Sequence, residues 1–189
     1  MKIIKIIIPC LLLNACMFGT SKNAKFYTMT ATSGSAISVE YNAVVGVNRV
    51  QLPKYVDRTQ IITQYKDSTQ IKISEYNRWV ESPATLVTRV LTEDLSVLLP
   101  SAQIKENRFK KRETDYVITV EIIEMNGVLS QKAELTAWYT VQDGAGKVKT
   151  YQKFTASVSI GKTYDELAQG YSQLLMKLSQ EIAASLIAK

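Results

Sequence analysis

The 189-residue sequence contains no histidine and only two cysteines. The lack of histidine excludes Ser-His-Asp and Cys-His catalysis, histidine-ligated zinc and the usual general base near neutral pH. The two cysteines, Cys10 and Cys16, both lie close to the N-terminus. The rest of the chain therefore holds neither a disulfide framework nor a thiol nucleophile. These absences argue against an enzyme.

Carboxylates are the catalytic groups that remain, and we considered Asp115, Glu121 and Glu124 as a pair. On a strand, Asp115 and Glu121 lie about 20 Å apart at 3.3 Å per residue. A retaining glycosidase holds its two carboxyl groups about 5 Å apart. The sequence also lacks a glycine-rich phosphate loop and a cluster with metal-ligand spacing. We therefore expect no catalytic residue, no bound metal and no cofactor.

No apolar run has the roughly 20 residues needed to span a bilayer. The apolar run behind Met1-Lys2 is short and ends in Leu13-Asn14-Ala15-Cys16. This order is typical of a bacterial lipoprotein signal peptide, the alternative being an ordinary signal peptide that happens to hold a cysteine. We expect removal of residues 1–15 and attachment of a diacylglycerol and an N-acyl chain to Cys16. At about 0.8 kcal/mol per buried CH₂, such chains form an effectively permanent anchor.

The formal net charge is +6, and loss of Lys2 and Lys5 with the signal peptide leaves +4. This excess favours anionic lipid or an acidic partner and does not by itself indicate nucleic-acid binding. We expect no nucleic-acid partner. Residues 16–25 predict a lipidated, flexible tether, and residues 26–189 suffice for a single α+β domain.

Residue patterns predict strands over 26–32 and 43–52, and a hairpin around Lys66-Asp67-Ser68-Thr69. Ser82-Pro83 opens a helix that ends at Pro100, with serine as the cap. Its spacing predicts one buried face and one exposed face. The buried face holds Val87, Leu91, Leu95 and Leu98, and the exposed face holds Thr88, Glu93 and Asp94.

The second half repeats this pattern. A loop is predicted between Pro100 and Thr114, then a strand over 116–122 and a hairpin of 133–141 and 148–160. Thr163-Tyr164-Asp165-Glu166 is a capping box that starts the last helix, in which Gly170 predicts close packing against a strand. The order of elements predicts an α+β two-layer sandwich, with a mostly antiparallel sheet and two amphipathic helices on one face.

Three segments occur in an order that resembles one family. They are Leu52-Pro53-Lys54-Tyr55-Val56-Asp57-Arg58-Thr59-Gln60-Ile61, Arg78-Trp79-Val80-Glu81 and Leu135-Thr136-Ala137-Trp138. Together with the lipoprotein signal, they resemble the PqiC family of ABC-type transport auxiliary lipoproteins. The chain departs from the family pattern at Val56, where leucine is more usual, and at Thr59, where proline is common.

The resemblance implies a non-enzymatic role at the periplasmic face of the outer membrane. The protein would be the docking subunit of an MCE-type system that moves lipids between membranes and supports envelope integrity. Its partner would be an MCE-domain protein anchored in the inner membrane, and the subunit would form a ring-shaped homo-oligomer. The alternative is an anchored periplasmic binding protein that holds an apolar ligand itself. A closed apolar cavity would favour the alternative, and a solid core would favour docking.

The resemblance also implies a set of residues that bind a partner or another subunit. These are Tyr55, Asp57, Arg58, Gln60, Arg78, Trp79 and Glu81. For Asp57-Arg58, a local ion pair is an equal alternative to a partner contact. For Trp79, closure of the core is favoured over recognition, with Arg78 and Glu81 paired beside it.

A basic cluster in the loop before Thr114 is a further candidate site. It consists of Arg108, Lys110, Lys111 and Arg112. Each basic residue near an anionic surface contributes about 1 kcal/mol, so the cluster could contact lipid headgroups. The alternatives are an acidic partner and a solvated loop, the usual explanation of such a run.

Overall fold

A computed structural model describes residues 22–107 and 114–188. Within these ranges the chain forms eight strands and two helices. In chain order they are β1 (Lys25–Tyr27), β2 (Val44–Val47), β3 (Gln60–Gln64), β4 (Ile71–Trp79), α1 (Pro83–Leu98), β5 (Gln103–Glu106), β6 (Tyr116–Val128), β7 (Lys132–Asp143), β8 (Val148–Ser159) and α2 (Tyr164–Ile187).

The strands form two sheets. The smaller sheet has the order β1-β4-β3, and the larger one has the order β5-β2-β6-β7-β8. Strand β1 runs parallel to β4, and β2 runs parallel to both β5 and β6. The remaining pairs, including both predicted hairpins, are antiparallel. The predicted α+β class is confirmed, with the added detail that both sheets are mixed.

Both helices pack on the larger sheet and against each other. Helix α1 contacts β2 and β5, and α2 contacts β7 and β8. Helix α1 begins at the predicted cap, where the Ser82 side chain accepts a hydrogen bond from the Thr85 N–H. Neither helix in the described ranges is long and apolar enough to cross a membrane.

Local signals also place α2 correctly. The Thr163 N–H donates to Glu166 Oε2 at 2.9 Å, and the Glu166 N–H donates to Thr163 Oγ1 at 3.1 Å. This is the predicted capping box. A Cβ atom on Gly170 would lie 2.6 Å from Ile160 Cγ2. Glycine is therefore needed for the close approach of α2 to the end of β8, as predicted.

Three predicted segments differ from the structure. The strand predicted over 26–32 ends at Tyr27, and the strand predicted over 43–52 covers only Val44–Val47. Beyond Tyr27, the Thr30 N–H donates to Ser172 Oγ and the Thr32 N–H donates to Asp94 Oδ1. These backbone groups bond to helix side chains and not to a neighbouring strand. The segment predicted as a loop after Pro100 contains β5.

The prediction that Thr88 and Asp94 face solvent is wrong. Thr88 is buried, and its hydroxyl donates to the Ala84 carbonyl at 2.6 Å and accepts from the Val50 N–H at 2.9 Å. Asp94 is fully buried and accepts from the Thr32 N–H at 3.0 Å and from the Ser179 hydroxyl at 3.4 Å. Chain segments from outside the sheet cover this side of α1, so the helix has more than one buried face.

Burial raises the pKa of Asp94 to about 6 from its ordinary 3.8, although the hydrogen bonds from Thr32 and Ser179 act in the opposite direction. Burial dominates because it penalises the charged carboxylate. The folded state therefore binds the proton more tightly than the unfolded state does. The stability that the protonated group contributes is present below pH 3.8 and is lost as the pH rises through about 6.

We predict that Asp94→Asn raises the free energy of unfolding at pH 7.5 by about 2 kcal/mol, because the variant buries no charge at that pH. The gain should vanish at pH 4. Urea unfolding between pH 4 and pH 8 measures it. Glu93→Gln is the matched control on the exposed side of α1 and should change stability by less than about 0.5 kcal/mol. An Asp94→Asn variant less stable than the parent at pH 7.5 would contradict this account.

Candidate partner-binding surface

The fold brings the first two motif segments together at one end of the smaller sheet. Gln60 opens β3 directly opposite Arg78, near the end of β4. Thr59 precedes Gln60 and Trp79 follows Arg78, and the Trp79 N–H donates to the Thr59 carbonyl at 2.7 Å. Residues from two distant parts of the chain therefore meet at one end of the smaller sheet. We call this region the motif surface, with Trp79 buried beneath it. Its other members are Tyr55, Asp57, Arg58, Gln60, Arg78 and Glu81.

A turn before β3 places Asp57 at the start of α1. The Pro53 carbonyl accepts hydrogen bonds from the N–H groups of Val56 and Asp57, at 3.0 and 3.1 Å. Asp57 Oδ1 then accepts from the Ala84 N–H at 3.2 Å. A carboxylate is favourable there because the first N–H groups of a helix lack intrahelical partners and carry partial positive charge. Asp57 thus joins the turn to the helix, while Arg58 is exposed.

Trp79 belongs to the core. Its exposed fraction is 4%, and its ring centroid lies 6.2 Å from that of Tyr171 in α2. The gap lined by Val56, Ile62, Trp79, Pro83, Met125 and Tyr171 has a volume of about 10 Å³. That is the least volume that a single water molecule needs. The interior beneath the motif surface is therefore filled.

Arg78 and Glu81, the charged residues on either side of Trp79, contact other groups and are not paired with each other as expected. Glu81 Oε1 lies 3.7 Å from Arg89 Nε, and Arg89 also contacts Glu93 at 3.3 Å. Arg78 Nε donates to the Glu75 carbonyl at 3.4 Å. We did not identify Arg89 from the sequence, although it lies four residues before Glu93 on a helix, which is a typical spacing for an ion pair.

Tyr55 lies at the other side of the motif surface. Its hydroxyl donates to Asn126 Oδ1 of β6 at 3.4 Å, and the side chain is partly exposed. Burial raises the pKa of Tyr55, and nearby Glu124 raises it further. A neutral tyrosine beside an amide is suited to hydrogen bonding and to stacking, not to proton transfer at neutral pH.

The structure thus divides the motif residues by role. Asp57 and Trp79 hold the fold together, whereas the other five present polar or aromatic groups at the surface. The described residues contain no group of three or more metal-ligating side chains. The predicted lipidation site Cys16 and the basic cluster Arg108, Lys110, Lys111 and Arg112 lie outside the described residues.

The domain is an α+β sandwich, and residues of the two motif segments meet at one end of its smaller sheet. The chain belongs to the family of ABC-type transport auxiliary lipoprotein components, whose family model matches residues 27–183. The resemblance seen in the motif segments is thereby confirmed.

Solved structures share this fold. An uncharacterized protein is 17% identical, with a TM-score of 0.72, and the match covers 86% of this chain and 98% of that one. A protein from Xanthomonas campestris is 12% identical, with a TM-score of 0.69, over 85% of this chain and 93% of that one. At these identities the likeness defines the fold alone. No curated protein matches the sequence significantly.

We predict that Asp57→Ala lowers the free energy of unfolding by about 1 kcal/mol, because the first turn of α1 loses one of its two side-chain acceptors, Ser82 being the other. Asp57→Asn should cost less, since it keeps a side-chain oxygen. Urea unfolding measures both. The matched control is Arg58→Ala, which should stay within about 0.5 kcal/mol of the parent. Equal losses for Asp57→Ala and Arg58→Ala would contradict the division of roles.

Proposed function

We propose that this protein is the outer-membrane-anchored, periplasmic docking subunit of an MCE-type intermembrane lipid transport system, and that it supports envelope integrity. In this proposal the acylated Cys16 holds the domain on the membrane. A ring of identical subunits receives the end of an MCE-domain protein rooted in the inner membrane. Apolar cargo is then passed on without crossing water, where exposure of its surface is unfavourable.

The observation that carries the proposal is a surface of recognition side chains over a filled interior. Arg58 is exposed, and Tyr55, in the same segment before β3, is partly exposed. Arginine and tyrosine are typical anchors of protein interfaces, because arginine offers a rigid fork of donors and tyrosine a rigid aromatic face. The family membership supports a role as an accessory component of a transporter.

The alternative, a binding protein that encloses an apolar ligand, needs a chamber inside the domain. The gap beside Trp79 measures about 10 Å³, whereas ligand pockets are typically about 300–1,000 Å³. Larger clefts in the described part, of about 620 and 690 Å³, are lined by both polar and apolar residues and open to solvent. The packing therefore favours docking.

We predict that the tagged full-length protein, crosslinked in native envelopes, co-purifies with an MCE-domain protein. Arg58→Glu should lower the recovery of that partner at least tenfold, because it places a carboxylate where the proposed contact has a guanidinium; a close charge pair at an interface is worth more than about 1.4 kcal/mol. The measured quantity is the amount of MCE-domain protein recovered per amount of tagged protein.

Two controls make the result specific. Lys149→Glu makes the same reversal of charge at an exposed site on β8 and should leave recovery unchanged. Cys16→Ala removes the predicted anchor and should reduce recovery by releasing the protein from the membrane. An oligomer recovered with bound lipid but without an MCE-domain protein would favour the binding-protein alternative, and a monomer with neither would contradict both.

A further inference from the structure

We infer that the outer face of the smaller sheet rests on the bilayer that holds the lipid anchor. The face consists of Phe26, Gln60, Arg78 and Val80, and we call it the Phe26 face. The inference rests on the proposed anchoring through Cys16. It adds which side of the domain meets the membrane, and it assigns Phe26 and Val80 to the interfacial region of the bilayer.

The pairing of the three strands defines this face. Phe26 lies opposite Arg78, and Arg78 lies opposite Gln60, so the three residues form one row across the sheet. The next pair, Tyr27 and Trp79, points the other way, because side chains alternate along a strand. Their rings contact Tyr164 and Tyr171 of α2, each at 6.2 Å. The row of Phe26 therefore faces away from the core.

Apolar side chains on this face are uncovered. Phe26 is 62% exposed and Val80 is 54% exposed, and the Val80 N–H bonds to the Tyr27 carbonyl, which keeps the two residues on adjacent strands. Phe26 and Val80 therefore form a small exposed apolar pair on this side of the sheet.

Basic side chains border the apolar ones. Lys22 precedes Phe26 in the chain and is exposed, and Arg78 lies opposite Phe26 on β4. Aromatic and apolar groups with lysine and arginine at their border are the composition of surfaces that lie in a membrane interface. The apolar groups enter the headgroup boundary, and the cations meet the lipid phosphates.

The length of the N-terminal segment indicates that the bilayer is what covers the Phe26 face. Lys25 is nine residues from Cys16, so it lies at most about 32 Å from the anchor, even with the chain fully extended. A domain of this size has a radius of gyration of about 15 Å and hence a diameter near 40 Å. The side of the domain on which β1 begins must therefore lie within about 32 Å of the membrane. Phe26 is the second residue of β1 and lies on that side.

A tethered surface also needs little contact to stay bound. The anchor keeps the Phe26 face at a high effective concentration near the lipid, so a few side chains suffice. A freely diffusing protein partner would instead need about 800 Å² on each side. The small size of the face is consistent with a bilayer and not with an independent protein interface.

The test uses the lipidated full-length protein in vesicles of phosphatidylethanolamine and phosphatidylglycerol. With Cys10 removed and Cys16 acylated, an introduced cysteine is the single reactive thiol, and it can carry an environment-sensitive NBD label. Val80→Cys probes the Phe26 face. Val148→Cys is the matched control, because it replaces the same residue type at 50% exposure on β8. We expect a blue shift and quenching by spin-labelled lipid at position 80 and neither at position 148.

Equal responses at both positions, or none at position 80, would overturn the inference. A response at position 80 that grows with protein density at fixed lipid would also overturn it, because a second copy would then be the occupant. Flotation of the vesicles distinguishes a failure of the proposed Phe26 face from a failure of the proposed lipid anchor. Protein that floats without a response at position 80 contradicts the Phe26 face alone, whereas protein that does not float contradicts the anchoring and the inference together.

A second measurement tests the contribution of the positive charge of Arg78 to membrane binding. In a Cys16→Ala background, Arg78→Gln should weaken binding to the same vesicles about fivefold, which corresponds to about 1 kcal/mol for one basic residue at an anionic surface. Lys153→Gln on β8 should leave binding unchanged. Equal effects of the two substitutions would indicate attraction by net charge and would contradict a specific face.

Discussion

The contact between Trp79 and Tyr171 is the constraint on which the rest of the candidate surface depends. The smaller sheet has three strands, one of them only three residues long, and a sheet of that size is marginal by itself. Burial of the Trp79 ring against α2 attaches the sheet to the main core. Because side chains alternate, the same contact fixes Arg78 and Val80 on the outside. Ser82, three residues beyond Trp79, then caps α1.

The elements that could be predicted from the sequence are those with local causes. Ser82-Pro83 and the Thr163–Glu166 box set the starts of both helices through hydrogen bonds within one turn. The hairpin strands have strong turn signals between them. By contrast, β1, β2 and β5 are short and pair in parallel with partners far along the chain. No local pattern specifies such pairs, because they become favourable only once the core has formed.

Asp94 and Thr88 show that a local pattern also fails to predict which polar residues of a helix are buried. A helical pattern assigns polar residues to the exposed face, which holds for a helix with one covered side. Helix α1 is also covered by chain near Thr32 and Val50, whose backbone N–H groups use these two side chains as acceptors. In the candidate surface, the sequence favoured a core position for Trp79 but did not predict the contact that Asp57 makes. Asp57 reaches the start of α1 only through the tertiary fold.

The order of strands in the smaller sheet relates the two proposed surfaces to each other. Strand β1, nearest the proposed anchor, forms one edge, and β3, which follows the turn holding Tyr55 and Arg58, forms the other. Neighbouring strands lie about 4.8 Å apart, so the two edges are separated by only about 10 Å. Strand β4 lies between them, and Trp79 attaches it to the core. In the proposed arrangement, the docked partner and the anchor are therefore separated by one strand and not by the whole domain. This arrangement would let the proposed docking and anchoring residues share one small sheet, which Trp79 attaches to the core.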